Sequence, residues 1–135
     1  MNDSKDRAVN VVFHDGRLLV IRRYKNGKSY SVLPGGGVEG GEEPRDAALR
    51  ELMEETGLEG TVDHHLWTIE HLDRVAHYYL VVANSGPLVL GGPESLAQSE
   101  QNRYTPEWIP LDDLDAEDLQ PQEVRDLLRE LQAKE

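Results

Sequence analysis

The chain has 135 residues, which suits a single domain spanning residues 1–135 with a sizeable buried core. Its 14 Lys and Arg residues against 26 Asp and Glu residues give a net charge of −12, which argues against a protein that binds nucleic acid through a general positive field. The absence of cysteine excludes disulfides and thiolate metal sites. Residues 1–7 lack the apolar core of an export signal, and no apolar run approaches the roughly 20 residues that span a bilayer, so we expect a cytoplasmic protein without membrane or nucleic-acid partners.

The N-terminal region is predicted to form β-strands. Residues 8–13 and 17–23 are β-rich runs on either side of an Asp15-Gly16 turn, which predicts a β-hairpin. A short strand over residues 30–33 then leads into Pro34 and three consecutive glycines. These strands precede the glycine-rich and glutamate-rich segment of residues 36–58.

The next element is predicted to be a helix. Pro44 suits a first helical position, and Gly57 suits the position just after the last turn. Leu49, Leu52 and Met53 fall on one side at helical spacing, so this side is predicted to be buried.

The rest of the chain is predicted to mix strands with a second helix. Residues 61–71 and 75–83 have the character of strands, and residues 85–103 that of a long loop rich in Gly, Ser, Gln and Pro. Residues 107–111 are predicted to form a short strand, and residues 121–132 are predicted to form an amphipathic helix. The inner face of this helix is predicted to consist of four apolar residues: Val124, Leu127, Leu128 and Leu131. The class is therefore α/β or α+β.

Three glutamates of the first helix form the strongest chemical pattern. At about 100° per residue, Glu51 and Glu55 lie about 40° apart and Glu54 lies about 60° to the other side of Glu51. The three carboxylates therefore share one patch, and like charges at this spacing repel unless a cation offsets them. Hard oxygen ligands of this kind suit Mg²⁺ or Mn²⁺. The alternative is a solvated acidic face on an acidic protein.

Two neighbouring features favour a metal site over a solvated face. The glycine turn that begins at Gly35 allows the backbone to approach a metal or a phosphate closely. Arg50 is positioned to pair with Glu42, which would hold the loop against the helix.

Residues 36–58 resemble the Nudix box, the motif of the Nudix hydrolase family. Every defined position of that motif is filled: Gly36, Glu42, Arg50, Glu51, Leu52, Glu54, Glu55, Gly57 and Leu58. At ordinary residue frequencies, a full match by chance in a chain of this length is on the order of 10⁻⁷. The resemblance implies an α/β fold, the Nudix α/β/α sandwich with a mixed β-sheet.

The resemblance also implies a set of functional residues. Glu54 and Glu55 would be metal ligands, Glu51 would complete the metal site or orient the attacking water, and the carbonyl of Gly35 would be a further ligand of Mg²⁺ or Mn²⁺. In the same motif Gly36, Glu42, Arg50 and Gly57 would have structural roles.

Two residues outside the box are candidates by the same resemblance. Related hydrolases take an additional glutamate from the long loop, for which Glu100 is the first choice and Glu94 the second. An ordinary solvated glutamate is the alternative for either. Arg23, at the end of the second predicted strand, corresponds to a phosphate-contacting arginine, and a plain surface charge is the alternative. Arg22 is expected on the opposite face of a regular strand.

The histidines and aromatic residues allow weaker interpretations. A zinc site is an alternative for four histidines in the central strands, although their spacing matches no compact ligand motif. These are His64, His65, His71 and His77. A residue that stacks on a base could be among five aromatic residues, which would otherwise belong to the core. These are Trp67, Tyr78, Tyr79, Tyr104 and Trp108.

The resemblance implies hydrolysis of a phosphoanhydride bond in a nucleoside diphosphate linked to another moiety. The compact chain favours a small-molecule nucleotide, a nucleoside triphosphate cleaved to a nucleoside monophosphate and pyrophosphate. Specificity for oxidised guanine nucleotides is in doubt, because Glu123 stands where the family's sanitising enzymes have an asparagine. The alternatives are a nucleotide sugar, ADP-ribose, a dinucleoside polyphosphate, or a non-catalytic nucleotide sensor. A homodimer is possible, since many members of the family are dimers.

Overall fold

A computed structural model of the chain describes residues 6–71, 73–84, 86–89 and 102–134. Within these ranges the chain forms two mixed β-sheets, two α-helices and one short 3₁₀ helix. No described helix is long and apolar enough to cross a membrane.

The first sheet contains four strands in the order β5-β1-β7-β6. Their bounds are Arg7–Val11 for β1, Gly35–Gly37 for β5, Gly60–His71 for β6 and Arg74–Ala83 for β7. Strand β1 runs antiparallel to β5 and parallel to β7, and β6 runs antiparallel to β7. This sheet places the glycine strand β5 at one edge.

The second sheet is built around β3, which pairs with three other strands. The bounds are Phe13–His14 for β2, Arg17–Lys25 for β3, Lys28–Val32 for β4, Asn102–Pro110 for β8 and Leu119–Gln120 for β9. Strands β2, β4 and β8 lie antiparallel to β3, and β9 runs parallel to β4.

Helix α1 spans Pro44–Thr56, helix α2 spans Val124–Lys134, and the 3₁₀ helix spans Leu111–Asp113. Alternate strand residues enter two separate cores, as the two-residue period of a strand requires. Val9 and Val11 of β1 belong to the core beneath α2, whereas Ala8 belongs to the core beneath α1. We name these the α2-side core and the α1-side core. The sheets therefore lie between two helices, which confirms the predicted α/β/α sandwich.

The predicted hairpin is only partly correct. Asp15 and Gly16 do form the tight turn, with φ angles of 52° and 76°. Only β2, not the whole of residues 8–13, pairs with β3 across that turn. Strand β1 is buried on both faces and lies between β5 and β7 in the first sheet, as its interior position requires.

Helix α1 has the predicted bounds but not the predicted orientation. It begins at Pro44 and ends where the N–H of Gly57, at a φ of 77°, donates to the Met53 carbonyl. Leu52 is fully buried and Leu49 is half-buried, but Met53 is 41% exposed, so its predicted burial is wrong. The buried face instead contains five residues: Ala47, Ala48, Leu52, Glu55 and Thr56.

The C-terminal part also differs in its bounds. Strand β8 begins at Asn102, so the end of the predicted loop and the predicted strand 107–111 form one longer strand. Helix α2 begins at Val124 instead of residue 121, and of its predicted inner face Val124 and Leu128 are fully buried. Glu94 and Glu100 lie outside the described residues.

Candidate active site

The glycine strand β5 turns its polar groups toward helix α1. The N–H of Asn10 donates to the Pro34 carbonyl at 2.8 Å, so the next pair along the ladder, Val9 and Gly35, is a non-hydrogen-bonded pair. In such a pair the N–H and C=O groups point away from the partner strand. The Gly35 N–H accordingly donates to Glu55 Oε1 at 2.8 Å. By the same pairing, the Gly35 carbonyl points away from β1, to the same edge of the sheet as the Gly35 N–H.

The close approach of β5 to its neighbours requires glycine at two positions. A β-carbon on Gly36 would lie 2.7 Å from Glu51 Oε1, and one on Gly35 would lie 2.9 Å from the Cα of Val9. Real β-carbons do not come this close to other heavy atoms. Gly36 therefore leaves the space that the Glu51 carboxylate fills.

Arg50 connects the helix to the loop before it. Its Nε and Nη2 atoms donate to the two carboxylate oxygens of Glu42, at 2.9 and 3.1 Å, and Nη2 also donates to the Gly37 carbonyl at 3.1 Å. The hydrogen bonds from Arg50 lower the pKa of Glu42, and Glu42 in turn raises the pKa of Arg50. The pairing that the sequence predicts is present, in a two-pronged form that fixes geometry.

Arg50 also engages two of the three glutamates. Its Nη1 donates to Glu51 Oε2 at 2.9 Å and lies 3.6 Å from Glu54 Oε2. The side chains of Glu51 and Glu54 are 12% and 31% exposed. Arg50 thus holds the Glu51 carboxylate in the space next to Gly36.

These contacts explain why the helix is turned from its predicted orientation. Glu55 is only 7% exposed and faces Gly35, so the buried arc of α1 is centred near Ala48 and Glu55. Met53 lies about 160° from Glu55 around the helix and is therefore directed to solvent. At residue 55 of this buried face, the interface with the glycine strand contains a carboxylate instead of an apolar side chain.

The residues in this arrangement have the chemistry of a site for a hard divalent cation. Carboxylate oxygens and a main-chain carbonyl are the donors that Mg²⁺ and Mn²⁺ prefer. Within the described ranges, no three His, Asp or Glu side chains already form a cluster that could hold a metal ion. Glu51 and Glu54 contact Arg50, and Glu55 contacts Gly35.

Two of the histidines have other contacts. His65 Nε2 lies 2.8 Å from Thr68 Oγ1, and His77 Nε2 lies 2.9 Å from Asp6 Oδ2. Neither belongs to a group of three potential ligands within the described part of the chain. The alternative of a zinc site gains no support from these contacts.

Arg23 lies on the α1 side of the second sheet. It alternates along β3 with Leu19 of the α1-side core and is paired with Tyr30 on one side and Tyr104 on the other. Its guanidinium carbon lies 4.0 Å from the Tyr104 ring centroid and 5.7 Å from that of Tyr30. Its Nη2 donates to Asn102 Oδ1 at 3.4 Å, and its buried Nε has no hydrogen-bond partner among the described residues.

Arg22 is directed to the opposite face, as predicted. It forms ion pairs with Glu107 at 3.6 Å and Glu117 at 3.5 Å. The two neighbouring arginines therefore differ in their surroundings. Arg22 is neutralised by carboxylates, whereas Arg23 is stacked against aromatic rings.

A cavity of about 610 Å³ opens on the other side of the first sheet. Its lining includes Leu33 and Tyr78, with Arg7, Arg74 and Gln120 contributing polar groups. Burial, followed by the charge of Glu123, raises the pKa of Tyr78 to about 12, so the phenol stays protonated. Leu33 is two residues from Gly35, which connects the cavity to the glycine strand.

Several residues of this region are not predictable from the sequence. Tyr78 is one of five aromatic candidates, but Arg7 and Gln120 carry no recognisable pattern because strand pairing alone brings them to the cavity. Asn10 does have a readable signal, since it is the one polar residue inside the apolar run Ala-Val-Asn-Val-Val-Phe.

The sequence is similar to a known protein family and to several known proteins. Residues 4–131 match the NUDIX domain family. A CMP-5'-(N-acetyl-N-hydroxy-3-aminopropyl)phosphonate hydrolase of Streptomyces rubellomurinus is 31% identical over 114 residues, which are 78% of this chain and 52% of the relative. An RNA pyrophosphohydrolase of Dinoroseobacter shibae is 46% identical over 54 residues, 38% of this chain and 34% of that protein. The chain thus spans about half or less of the length of these curated relatives.

Solved structures give the same result for the fold. A MutT NUDIX hydrolase from Burkholderia pseudomallei is 28% identical, with a TM-score of 0.66 over 84% of this chain and 88% of that one. A NUDIX hydrolase from Nitrosomonas europaea has a TM-score of 0.70 at 17% identity, over 97% of this chain and 90% of that one. Since the family match takes in nearly all of the residues that build the two sheets, both helices and the glycine strand, the chain belongs to the NUDIX domain family.

Proposed function

We propose that the chain is a divalent-metal-dependent hydrolase that cleaves a phosphoanhydride bond in a nucleoside diphosphate linked to another moiety. The observation that carries the proposal is the contact between the glycine strand and the glutamates of α1. Gly35 turns its carbonyl toward the edge where Glu55 lies, and Gly36 makes room for the Glu51 carboxylate. This arrangement brings carboxylate oxygens of α1 next to the glycine strand.

In this proposal Glu51, Glu54, Glu55 and the Gly35 carbonyl would hold the cation, Mg²⁺ or Mn²⁺. When bound, it would neutralise the polyphosphate and polarise the phosphorus centre. The bound cation would also give the site a local positive charge, although the net charge of the chain is −12 and would otherwise repel a phosphate substrate. Glu100 remains a proposed additional ligand.

The protein's own part in the reaction is positioning. Arg50 fixes Glu51 through Oε2, which suits Glu51 to orient an attacking water. The water oxygen adds to one phosphorus as the bond from that phosphorus to the bridging oxygen breaks, and the two phosphate products share the released protons. Such an in-line displacement needs mainly alignment and charge stabilisation. Arg23 is the proposed contact for a phosphate of the substrate.

For the substrate we propose a small nucleotide, in the first place a nucleoside triphosphate that yields a nucleoside monophosphate and pyrophosphate. The cavity lined by Leu33 and Tyr78 offers apolar walls for a nucleoside, with Gln120 available for polar contacts. The name of the Streptomyces rubellomurinus relative contains CMP, so cytidine compounds belong among the first substrates to test. Nucleotide sugars, ADP-ribose and dinucleoside polyphosphates are the alternatives.

The second candidate function is a nucleotide sensor without catalysis. A sensor would bind the same compounds through the same cavity and would not need all three glutamates. The chain retains all three, which favours the enzyme.

The test is a release assay with Mg²⁺ or Mn²⁺ and a panel of nucleoside triphosphates, CMP-linked compounds, nucleotide sugars, ADP-ribose and dinucleoside polyphosphates. A coupled pyrophosphatase or phosphatase makes the products measurable as phosphate. We expect metal-dependent turnover of one class, and a loss of at least about 100-fold in the double variant Glu54→Gln/Glu55→Gln. The glutamine at residue 55 keeps an oxygen that can accept from the Gly35 N–H, so the fold should persist.

The matched control is Glu59→Gln, which removes an exposed carboxylate just beyond α1. Its turnover should stay within about twofold of the wild-type value. Turnover that is unchanged in the Glu54/Glu55 double variant would overturn the proposed site. Nucleotide binding without turnover across the panel would instead support the sensor.

A further inference from the structure

Asn10 is a buried polar residue in the middle of an apolar strand. It lies in β1 between Val9 and Val11 and has no solvent exposure. Burying an amide is unfavourable unless hydrogen bonds replace its water contacts. The presence of an amide in this apolar strand therefore calls for an explanation.

The side chain of Asn10 joins three elements. Its Nδ2 donates to the Pro34 carbonyl at 3.1 Å and to the Ala48 carbonyl at 2.8 Å. Both neighbours are acceptors, so the orientation of the amide follows from the contacts themselves. Pro34 immediately precedes Gly35, and Ala48 lies one turn before Glu51 on α1. A single amide therefore connects β1, the start of the glycine strand and the helix that carries the glutamates.

The nitrogen and the oxygen of the Asn10 amide differ in their hydrogen bonding. Both N–H groups of Nδ2 have carbonyl partners, whereas Oδ1 is buried and has no hydrogen-bond partner among the described residues. An unmade hydrogen bond at a buried oxygen lowers stability, and an apolar residue of similar shape would avoid that loss. The amide is thus poorly explained by stability alone and well explained by what its N–H groups hold together.

We infer that Asn10 is a positioning residue that sets the spacing between the Gly35 carbonyl and the glutamates of α1. The inference rests on the proposed function, because its consequence is the affinity of those groups for a divalent cation. Asn10 contacts none of the proposed ligand atoms. It acts through the main chain at Pro34 and Ala48, one residue before Gly35 and three residues before Glu51.

The test measures Mn²⁺ binding without substrate, by the electron paramagnetic resonance signal of free Mn²⁺, together with stability by urea denaturation. In Asn10→Val we expect a fold at least as stable as the wild type and a dissociation constant for Mn²⁺ at least about tenfold higher. Asn10→Thr has the valine shape with one hydroxyl donor restored, so its Mn²⁺ affinity should lie between the two.

The matched control is Val11→Ala in the same strand. Val11 is fully buried in the α2-side core, away from the Pro34 and Ala48 carbonyls. This variant should lose stability through its cavity while its Mn²⁺ affinity stays within about twofold of the wild type. A positioning role and a general loosening of β1 therefore give opposite patterns in the two variants.

Wild-type Mn²⁺ affinity in Asn10→Val would overturn this inference alone. The inference would also be overturned if Val11→Ala lost as much Mn²⁺ affinity as Asn10→Val did. If Asn10→Val failed to fold, the Mn²⁺ affinity of Asn10→Thr would be compared with those of the wild type and Val11→Ala instead, and wild-type affinity in Asn10→Thr would overturn the inference. Failure of the wild-type chain to bind Mn²⁺ would overturn the proposed function and this inference with it.

Discussion

The Glu51 carboxylate occupies the space that a side chain at Gly36 would fill. A β-carbon at residue 36 would lie 2.5 Å from Glu51 Oε2 and 2.7 Å from Oε1, and Arg50 Nη1 donates to the same Oε2 at 2.9 Å. The hydrogen bond from Arg50 therefore holds the carboxylate in the space next to residue 36. It cannot move away from residue 36 without changing its contact with Arg50.

This confinement predicts the effect of Gly36→Ala. The new methyl group should displace the Glu51 carboxylate, because the strand behind Gly36 is fixed by its pairing with β1. We expect turnover to fall at least about tenfold through lost alignment of the metal site. The measurement is the initial rate of metal-dependent phosphate release at saturating substrate.

Gly37→Ala is the matched control for this prediction. A β-carbon at residue 37 would have no heavy atom within 4 Å, and Gly37 does not have a positive φ. Turnover of this variant should stay within about twofold of the wild-type rate. An equal loss in both alanine variants would mean that the strand as a whole tolerates no side chain, and the Glu51 explanation would be wrong.

Much of this site could be predicted because its signals are local in sequence. Pro44 and Gly57 mark the ends of α1 by their own backbone preferences, and both ends agree with the structure. The pairing of Arg50 with Glu42 depends on a loop of a few residues and a helix of known period. The opposite directions of Arg22 and Arg23 follow from the two-residue period of a strand.

The errors arise where tertiary contacts decide. Apolar spacing alone predicts Met53 in the core, but the contact of Glu55 with Gly35 turns that side of the helix outward. The partners of β1 could not be read from the Asp15-Gly16 turn, because β7 is more than sixty residues away along the chain. Long-range strand pairing, rather than any local pattern, placed β1 in the first sheet.

Arg50→Lys should destabilise the protein although the charge is kept. A lysine cannot reproduce the two parallel hydrogen bonds to Glu42 or the bond to the Gly37 carbonyl. We expect the free energy of unfolding to fall by about 2 kcal/mol, in the range for hydrogen bonds to charged groups. Urea denaturation at neutral pH measures the change. Arg45→Lys, on the exposed face of the same helix, is the control and should differ little from the wild type.

The same ion pair predicts a pH dependence of stability. Arg50 lowers the pKa of Glu42 below its ordinary value of 4.5 in the folded state, so folding is favoured while Glu42 is ionised. This contribution is fully present above 4.5 and is lost as the pH falls through the lowered pKa. The stability difference between wild type and Glu42→Gln should therefore be largest near neutral pH and should shrink as the pH falls below 4.5.

Urea denaturation of both proteins across this pH range tests the sign. Glu59→Gln is the control, because this exposed carboxylate lies outside the Arg50 contacts. Its difference from the wild type should show little change with pH. A Glu42→Gln difference that grew on acidification would contradict the assignment of the lowered pKa to the contact with Arg50.

Arg23 and Arg22 allow a test of phosphate binding between neighbours in one strand. Arg23 is stacked against Tyr104 on the α1 side and lacks a partner for its Nε among the described residues, whereas Arg22 is paired with Glu107 and Glu117 on the other face. Arg23→Gln should raise KM by about tenfold, since charged hydrogen bonds to phosphate contribute about 1.5–3 kcal/mol. Arg22→Gln should leave KM near the wild-type value and change only stability, which thermal unfolding measures. An equal rise of KM in both variants would indicate a general electrostatic effect of the strand and would remove Arg23 from the proposed site.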